Sequence, residues 1–513
     1  MSAHPGAADT PGLDTGRLRT GLAAEAHRIV YDQYLPAESG PGHDGLGEEL
    51  RLISEVDRAH LVMLGERGIV AAPRAAALLT AIDALRRTDF GAVRGRPMPR
   101  GVYLAYESHL VEQLGEETGG VLHTGRSRND LNATTARLRG RGHYRALLEA
   151  VEELAEVILE RAEEYRAVTM PAYTHGQPAV PITYGHYLAG LGHAVVRALS
   201  GLLAAGEELD VNPLGAGAVG GTSVAIDTHR TSALLGFTGP AANSVDAVAS
   251  RDFGLRLLSA AAVLGVALAR AARDFSSWTS EEVALLRLGD DLVGSSSMMP
   301  QKRNPFLLEH IQGRATVGLG AFTAAASAMA TAPYSNAIAV SNEALRHVWP
   351  GLRGTADAVT LLRLVVAGAV PDAERMTARA VDGFTSATYL AEQLVASGVP
   401  FRSAHHLVGR TVLGALDSDA SLAKAAADVP EIAQVAPAGA GEEWLHPSAV
   451  AQACAYGGGP GTDSRTELRA ELTALRAESA ARRERWTAAA GALDAAVSGL
   501  TGSGPADAQA AHD

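Results

Sequence analysis

Residues 144–167 read Tyr-Arg-Ala-Leu-Leu-Glu-Ala-Val-Glu-Glu-Leu-Ala-Glu-Val-Ile-Leu-Glu-Arg-Ala-Glu-Glu-Tyr-Arg-Ala. Leu147, Leu148, Val151, Leu154, Ala155, Ile158, Leu159, Ala162 and Tyr165 recur at three- and four-residue spacing, and Glu and Arg fill the other face. That is the period of an amphipathic helix. Comparable segments run over about 183–209, 251–275, 305–332 and 341–367, separated by loops rich in Gly, Ser, Thr and Pro. No stretch reads convincingly as strand. The expectation is an all-α subunit built on a bundle of five long helices, whose Ala- and Gly-rich faces permit close approach. Helices apolar on more than one side further suggest that bundles from several subunits pack together.

The composition bounds the rest. A chain of 513 residues holds two to four domains, or one elongated unit with lobes. Hydrophobic residues make up 47% and aromatics only 5%, so the core is built from Ala, Leu and Val. A net charge of −13 offers no basic face for nucleic acid. Cys454 is the single cysteine, which excludes an internal disulfide framework and a cysteine-rich metal site. Met1–Asp14 lacks an apolar core, so no signal peptide is expected. The apolar runs near 257–269 and 317–332 are short or interrupted and read as buried helices, not membrane spans, so a soluble cytoplasmic protein is expected.

Along the chain, residues 1–15 and 502–513 read as disordered tails and 36–47 as a loop. Residues 48–87 read as helical, and the basic stretch 94–101 leads into another helix. A composition change near 366–376 opens a region of shorter helices with a Gly-rich loop, Gly457–Gly461. The parts are placed at 16–113 (N-terminal helical), 114–367 (central long helices) and 368–501 (C-terminal, small).

Three polar segments interrupt the apolar pattern. Gly294-Ser-Ser-Ser-Met-Met-Pro-Gln-Lys-Arg-Asn-Pro305 combines hydroxyls, Lys302 and Asn304 on a permissive backbone. It can bring a basic oxygen, a fixed positive charge and an amide donor to one anionic substrate, which suits proton removal beside a carboxylate. The plain alternative is a flexible Ser-rich linker. His123-Thr-Gly-Arg-Ser-Arg-Asn-Asp130 leads into a helix and offers Ser127, Arg128 and Asn129 to a carboxylate, although capping by Asn129 or Asp130 explains such a turn alone. Met170-Pro-Ala-Tyr-Thr-His-Gly-Gln177 sets Thr174 and His175 in a short connection between two long helices, where a lone histidine is more often structural than catalytic.

Together with Pro213–Thr222, Ile226-Asp227 and Asn243–Phe253, these segments resemble the aspartase/fumarase superfamily, specifically its argininosuccinate lyase branch, over roughly residues 50–460. The resemblance implies a three-part all-α subunit in a homotetramer, with a twenty-helix core and active sites shared by three subunits. The implied reaction is reversible β-elimination giving fumarate and an amine from a small N-succinyl substrate, with no metal and no organic cofactor. By matching the motif, Ser296, six residues before Lys302, is the expected base; Ser295 and Ser297 are weaker candidates, and Ser295 stands where glycine is usual. Lys302 and Asn304 would hold the carboxylate. His175 would protonate the leaving nitrogen, oriented by Glu309. Ser127, Arg128, Asn129 and Thr174 would grip the fumaryl half, with Tyr334 and Ser297 also on the substrate.

The departures from the family fall at recognition positions. After Tyr334, argininosuccinate lyases carry a Gln and a Lys that contact the amino-acid end of the leaving group; here Ala339 and Asn342 stand there. Gly101-Val-Tyr103 replaces an Asp-x-His, Gly176 a Leu, Pro178 an Arg and Phe306 an Asp. An N-terminal Asn-x-Ser segment is not recognisable around 28–50. The expectation is therefore a fumarate-releasing C–N lyase acting on an N-substituted aspartate other than argininosuccinate. The alternatives are a genuine argininosuccinate lyase and a catalytically silent structural homologue.

Overall fold

The computed structural model describes residues 45–98, 101–437 and 441–502. The expected tails (apart from Gly502), the 36–44 part of the expected loop and residues 99–100 of the basic stretch lie outside the described residues. The helices that organise the fold are α1 (Gly45–Glu66), α2 (Ala72–Arg87), α3 (Val102–Leu114), α4 (Arg128–Glu164), α5 (Tyr184–Ala205), α6 (Asp252–Trp278), α7 (Phe306–Ala315), α8 (Val317–Ala330), α9 (Leu345–Gly368), α10 (Ala373–Asp382), α11 (Ala387–Ala396), α12 (Phe401–Ser418) and α13 (Ser464–Thr501). The expected all-α bundle is present. α4 packs on α5 and α9, and α6 packs on α5, α7, α8 and α9. Leu147, Leu148, Val151, Leu154, Ile158 and Leu159, the apolar stripe of the opening stretch, are all in its core.

Four boundaries differ from the sequence reading. Gly45–Gly47 begin α1 rather than closing the loop, and 48–87 is two helices broken by a turn at Gly68, φ +66°. The 305–332 segment is two helices meeting at Thr316, whose N–H donates back to Gly313. Before α9 the chain makes one π-helical turn, Ala339–Ala344, and Pro350 sits inside α9, where it removes a backbone donor.

The absence of strands is corrected. β1 (Thr169–Thr174) and β2 (Gln177–Thr183) form an antiparallel hairpin, with Thr174 opposite Gln177 and an irregularity between Pro171 and Tyr173. Two-residue pairs also join Val211–Asn212 to Gly239–Pro240, and Leu286–Arg287 to Val370–Pro371. Pro171, Pro178 and Pro181 hide the hairpin's period in the sequence. In a two-stranded ribbon every strand is an edge strand, so proline is tolerated there.

Helix α13 ties the layers together. Leu468 and Leu472 enter the bundle core, while Leu493 and Val497 join Leu61, Leu78 and Tyr106 in the N-terminal core. Leu390, Leu394, Ala404, Val408 and Leu445 form a separate small core. The segments Tyr184–Asp210 and Asp252–Trp278 are long and apolar enough to cross a membrane, but each is about half buried inside the subunit. On the outer side of the bundle Val263 is 67% exposed, Val266 57% and Leu319 54%. An apolar stripe of this kind on three-turn or longer helices is a surface that favours a packed neighbour.

Candidate active site

The turn before α4 is held from both ends. Ser127 is the N-cap, its Oγ accepting the Asn129 N–H at 3.3 Å, and the Asp130 carboxylate accepts the Ser127 N–H at 2.9 Å in a capping box. Asp130 also accepts the Gly215 and Gly217 N–H groups at 2.9 and 3.0 Å, which anchors the Gly-rich crossing to the helix start. The capping role anticipated for Asn129 or Asp130 thus belongs to Ser127, with Asp130 as its partner. The Asn129 side chain is engaged elsewhere: its amide nitrogen donates to Ala218 O at 3.3 Å and its amide oxygen accepts from Asn336 Nδ2 at 3.0 Å. Arg128 is exposed on the first turn.

His175 stands at the tip of the β1–β2 hairpin, not in a plain helix connection. His175 and Gly176 have φ of +53° and +75°, so the two-residue loop has the primed geometry that fits twisted strands. Glycine at 176 makes that turn inexpensive, and the left-handed His175 presents its ring away from its own subunit's core as an exposed side chain. Substituting Gly176 by Val is expected to cost about 1–3 kcal/mol of local strain. If His175 protonates the leaving nitrogen as the resemblance implies, the measurable result is a kcat reduced by at least about tenfold by displacement of His175, with far-UV helicity retained; unchanged kcat would remove that role from the turn.

The Gly294–Pro305 loop is closed at its neck. Gly294 and Asn304 exchange backbone hydrogen bonds of 2.8 and 2.9 Å, and Phe306 packs so closely on Gly294 that a Cβ there would lie 2.7 Å from its ring. Arg303 pairs with Asp290 and donates to Leu288 O at 2.9 Å. Within the loop Ser296 Oγ accepts the Met298 and Met299 N–H groups at 3.3 and 3.1 Å. Two amide dipoles aimed at one hydroxyl oxygen favour its anionic form. Ser297 and Lys302 are exposed, and Asn304 is half-buried.

Within one subunit these groups form separate sets. Asn129, Asn336, Tyr334 and Asp246 are linked side chain to side chain or through their segment, the Tyr334 hydroxyl donating to Asp246. A cavity of about 490 Å³ opens beside Tyr334, lined by Arg137, Asp246, Arg251, Met329 and Val340 among others. Among the described residues, no hydrogen bond or ion pair joins this set to Ser296 or Lys302, or joins His175 to Glu309, and both His175 and Glu309 are exposed. Asn336, Asp246 and Asp130 were not among the sequence candidates. Asn336 was legible as a polar residue two positions after Tyr334; the other two act through contacts more than eighty residues away. Among the described residues no group of three or more His, Cys, Asp or Glu is placed to hold a metal ion.

Residues 49–320 match the family model described as "Lyase", and residues 384–450 the one described as "Argininosuccinate lyase C-terminal". The chain is 38% identical to the argininosuccinate lyase of Methanoculleus marisnigri over 71% of its length and 74% of the relative's. It is 36% identical to that of Halobacterium salinarum, over 81% and 85%. Among solved structures it is similar to EDDS lyase in complex with formate, with 29% identity, a TM-score of 0.78, and 89% and 92% of the two chains covered. A variant of EDDS lyase with bound fumarate is similar at 28% identity and a TM-score of 0.77, over 89% and 92%.

Proposed function

This chain belongs to the argininosuccinate lyase branch of the aspartase/fumarase superfamily and is a fumarate-releasing carbon–nitrogen lyase, and from that premise we propose that its substrate is an N-substituted aspartate other than argininosuccinate. The observation that carries the reading is the π-helical turn Ala339–Ala344, which holds both altered leaving-group positions. Ala339 has no polar side chain, and the side-chain amide oxygen of Asn342 already accepts the Ser341 hydroxyl at 2.6 Å. A charged amino-acid end placed there would lose a glutamine and a lysine as partners. Such a loss costs discrimination on the order of 10⁴-fold where the site is built to bind the group. The leaving amine is assigned to the space beside Tyr334.

In this reading Ser296 removes the Cβ proton of the succinyl group, giving an enediolate-like dianion. Lys302 and Asn304 hold its carboxylate, and Ser127, Arg128, Asn129, Thr174 and Ser297 bind the remainder. The C–N bond then breaks, its electrons passing to nitrogen as the carbon–carbon double bond of fumarate forms. His175 supplies the proton to the amine, oriented by Glu309 of another subunit. No cofactor takes part in these steps.

The separation of the three sets, and the apolar outer face of α6 and α8, support a homotetramer with shared sites. A mixing experiment tests this. Ser296→Ala and His175→Ala variants, each inactive, are denatured together and refolded in equal amounts. With Ser296 and His175 drawn from different subunits at random, about one quarter of the sites regain both groups. Recovery of no activity would place both residues in one subunit's site.

The identities of 36–38% to argininosuccinate lyases favour a second reading, that this chain is one itself. Ultraviolet-monitored fumarate release from argininosuccinate separates the two: the proposal expects a kcat/KM at least about 10²-fold below the 10⁴–10⁸ M⁻¹s⁻¹ usual for an enzyme and its own substrate. A value inside that range establishes the second reading.

A further inference from the structure

We infer that Tyr103 is a positioning residue for the turn that grips the fumaryl carboxylate: its phenol, through the buried Arg126–Asp57 pair, fixes where Ser127, Arg128 and Asn129 stand. The inference rests on the reading of that turn as the carboxylate grip.

Tyr103 is on the first turn of α3, at the position where an Asp-x-His was expected, and is 6% exposed. Its hydroxyl meets three groups at once: His123 Nδ1 at 2.9 Å, Glu107 Oε1 at 3.3 Å and the Arg126 Nη2 donor at 3.3 Å. His123 and Arg126 are the two ends of the four-residue loop that enters Ser127, so one oxygen pins both ends. The middle is held too. His60 Nε2 donates to Thr124 O at 2.7 Å, and Gly125, φ +74°, leaves no room for a Cβ because Ile226 would lie 2.8 Å away. The chain therefore reaches the N-cap of α4 from a fixed point.

The support beneath that point is sparse and charged. The side chains of Arg126 and Asp57 pair with neither exposed at all. Burial works against the charge on Arg126, but Asp57 holds its guanidinium protonated. Arg126 Nε and Nη1 and one Asp57 oxygen have no partner among the described residues. The Arg126 side chain thus hydrogen-bonds to two residues, Asp57 and Tyr103. Deleting the phenol oxygen removes one of the two and frees the guanidinium to turn toward the unpaired Asp57 oxygen. The shift passes directly to Ser127 and Asn129, one and three residues on. Displacements of about 1 Å or less at a binding group are enough to weaken a bound carboxylate.

The test uses fumarate as the probe, by calorimetric titration of the full-length enzyme. Tyr103→Phe is expected to raise the fumarate Kd by about tenfold, with maximal turnover changed less than about threefold, because the turn binds substrate and transition state alike. Tyr103→His keeps a ring that can both donate and accept, and is expected to recover most of the affinity. Leu110→Ala, a buried apolar truncation on the same helix, separates positioning from stability: it should lower Tm while leaving the fumarate Kd unchanged. A Tyr103→Phe enzyme that binds fumarate as tightly as the wild type would overturn the inference alone, as would an equal loss of affinity in Leu110→Ala. A wild-type enzyme that binds no fumarate would overturn the grip itself, and this inference with it.

Discussion

Ser296→Ala is expected to lower kcat by about 10²–10⁴-fold, the range removed with a positioned proton-transfer group, while Tm and helicity stay at wild-type values. Three serines stand in a row at 295–297, and sequence spacing alone ranks them only by analogy. The structure adds a physical distinction: of the three, Ser296 accepts two backbone N–H groups, from Met298 and Met299. A serine hydroxyl is a weak base because its alkoxide is unstable near neutral pH. Amide donors already aimed at the oxygen lower the cost of forming the alkoxide and need no reorganisation when the proton arrives. Ser295→Ala and Ser297→Ala should each retain activity within about tenfold. A Ser296→Ala enzyme with near wild-type kcat would assign the base elsewhere. The neck hydrogen bonds between Gly294 and Asn304 hold together the ends of the loop that carries Ser296 and Lys302.

The second large effect is a gain. Ala339→Gln with Asn342→Lys is expected to raise kcat/KM for argininosuccinate by about 10²-fold or more, since a site that regains partners for a charged group regains the corresponding discrimination. Both positions lie on the π-helical turn that leads into α9, so they project from one short rigid element. The altered N-terminal segment limits the gain, because a complete arginine pocket would need it as well. The same double variant should lose activity with the native amine, whose space the longer side chains fill. No gain, measured with the fold intact, would mean that these positions do not face the leaving group.

The parts of this molecule that the sequence revealed are those whose cause is local. The 3.6-residue period of Leu147–Tyr165 pointed to α4, and the polar turn 123–130 was read as leading into a helix, though its cap was sought at Asn129 or Asp130 and not at Ser127. The β1–β2 hairpin escaped because three prolines interrupt its alternation, although the His175-Gly176 pair is a two-residue turn signal. The break at Thr316 escaped because both sides keep the same apolar spacing. Candidate site residues within one motif could be proposed from the sequence, Lys302 and Asn304 by their spacing in the loop and Arg128 by its neighbours. Those that depend on distant chain were not. Asp246 matters through the Tyr334 hydroxyl, and Tyr103 through Arg126, and neither pairing follows any period in the sequence. The proposed relation of His175 to Glu309 lies between subunits, so the sequence reached it by resemblance and a single subunit does not display it.

The central claim, that this lyase releases fumarate from an N-substituted aspartate other than argininosuccinate, is tested most directly by running the reaction backwards. The enzyme is incubated with fumarate and, separately, arginine, diamines, hydrazines and simple amines, and adducts are measured by mass spectrometry alongside fumarate consumption. The account predicts an N-substituted aspartate from at least one of the other amines, formed at least about 10²-fold faster than the arginine adduct. Argininosuccinate as the fastest product would contradict it.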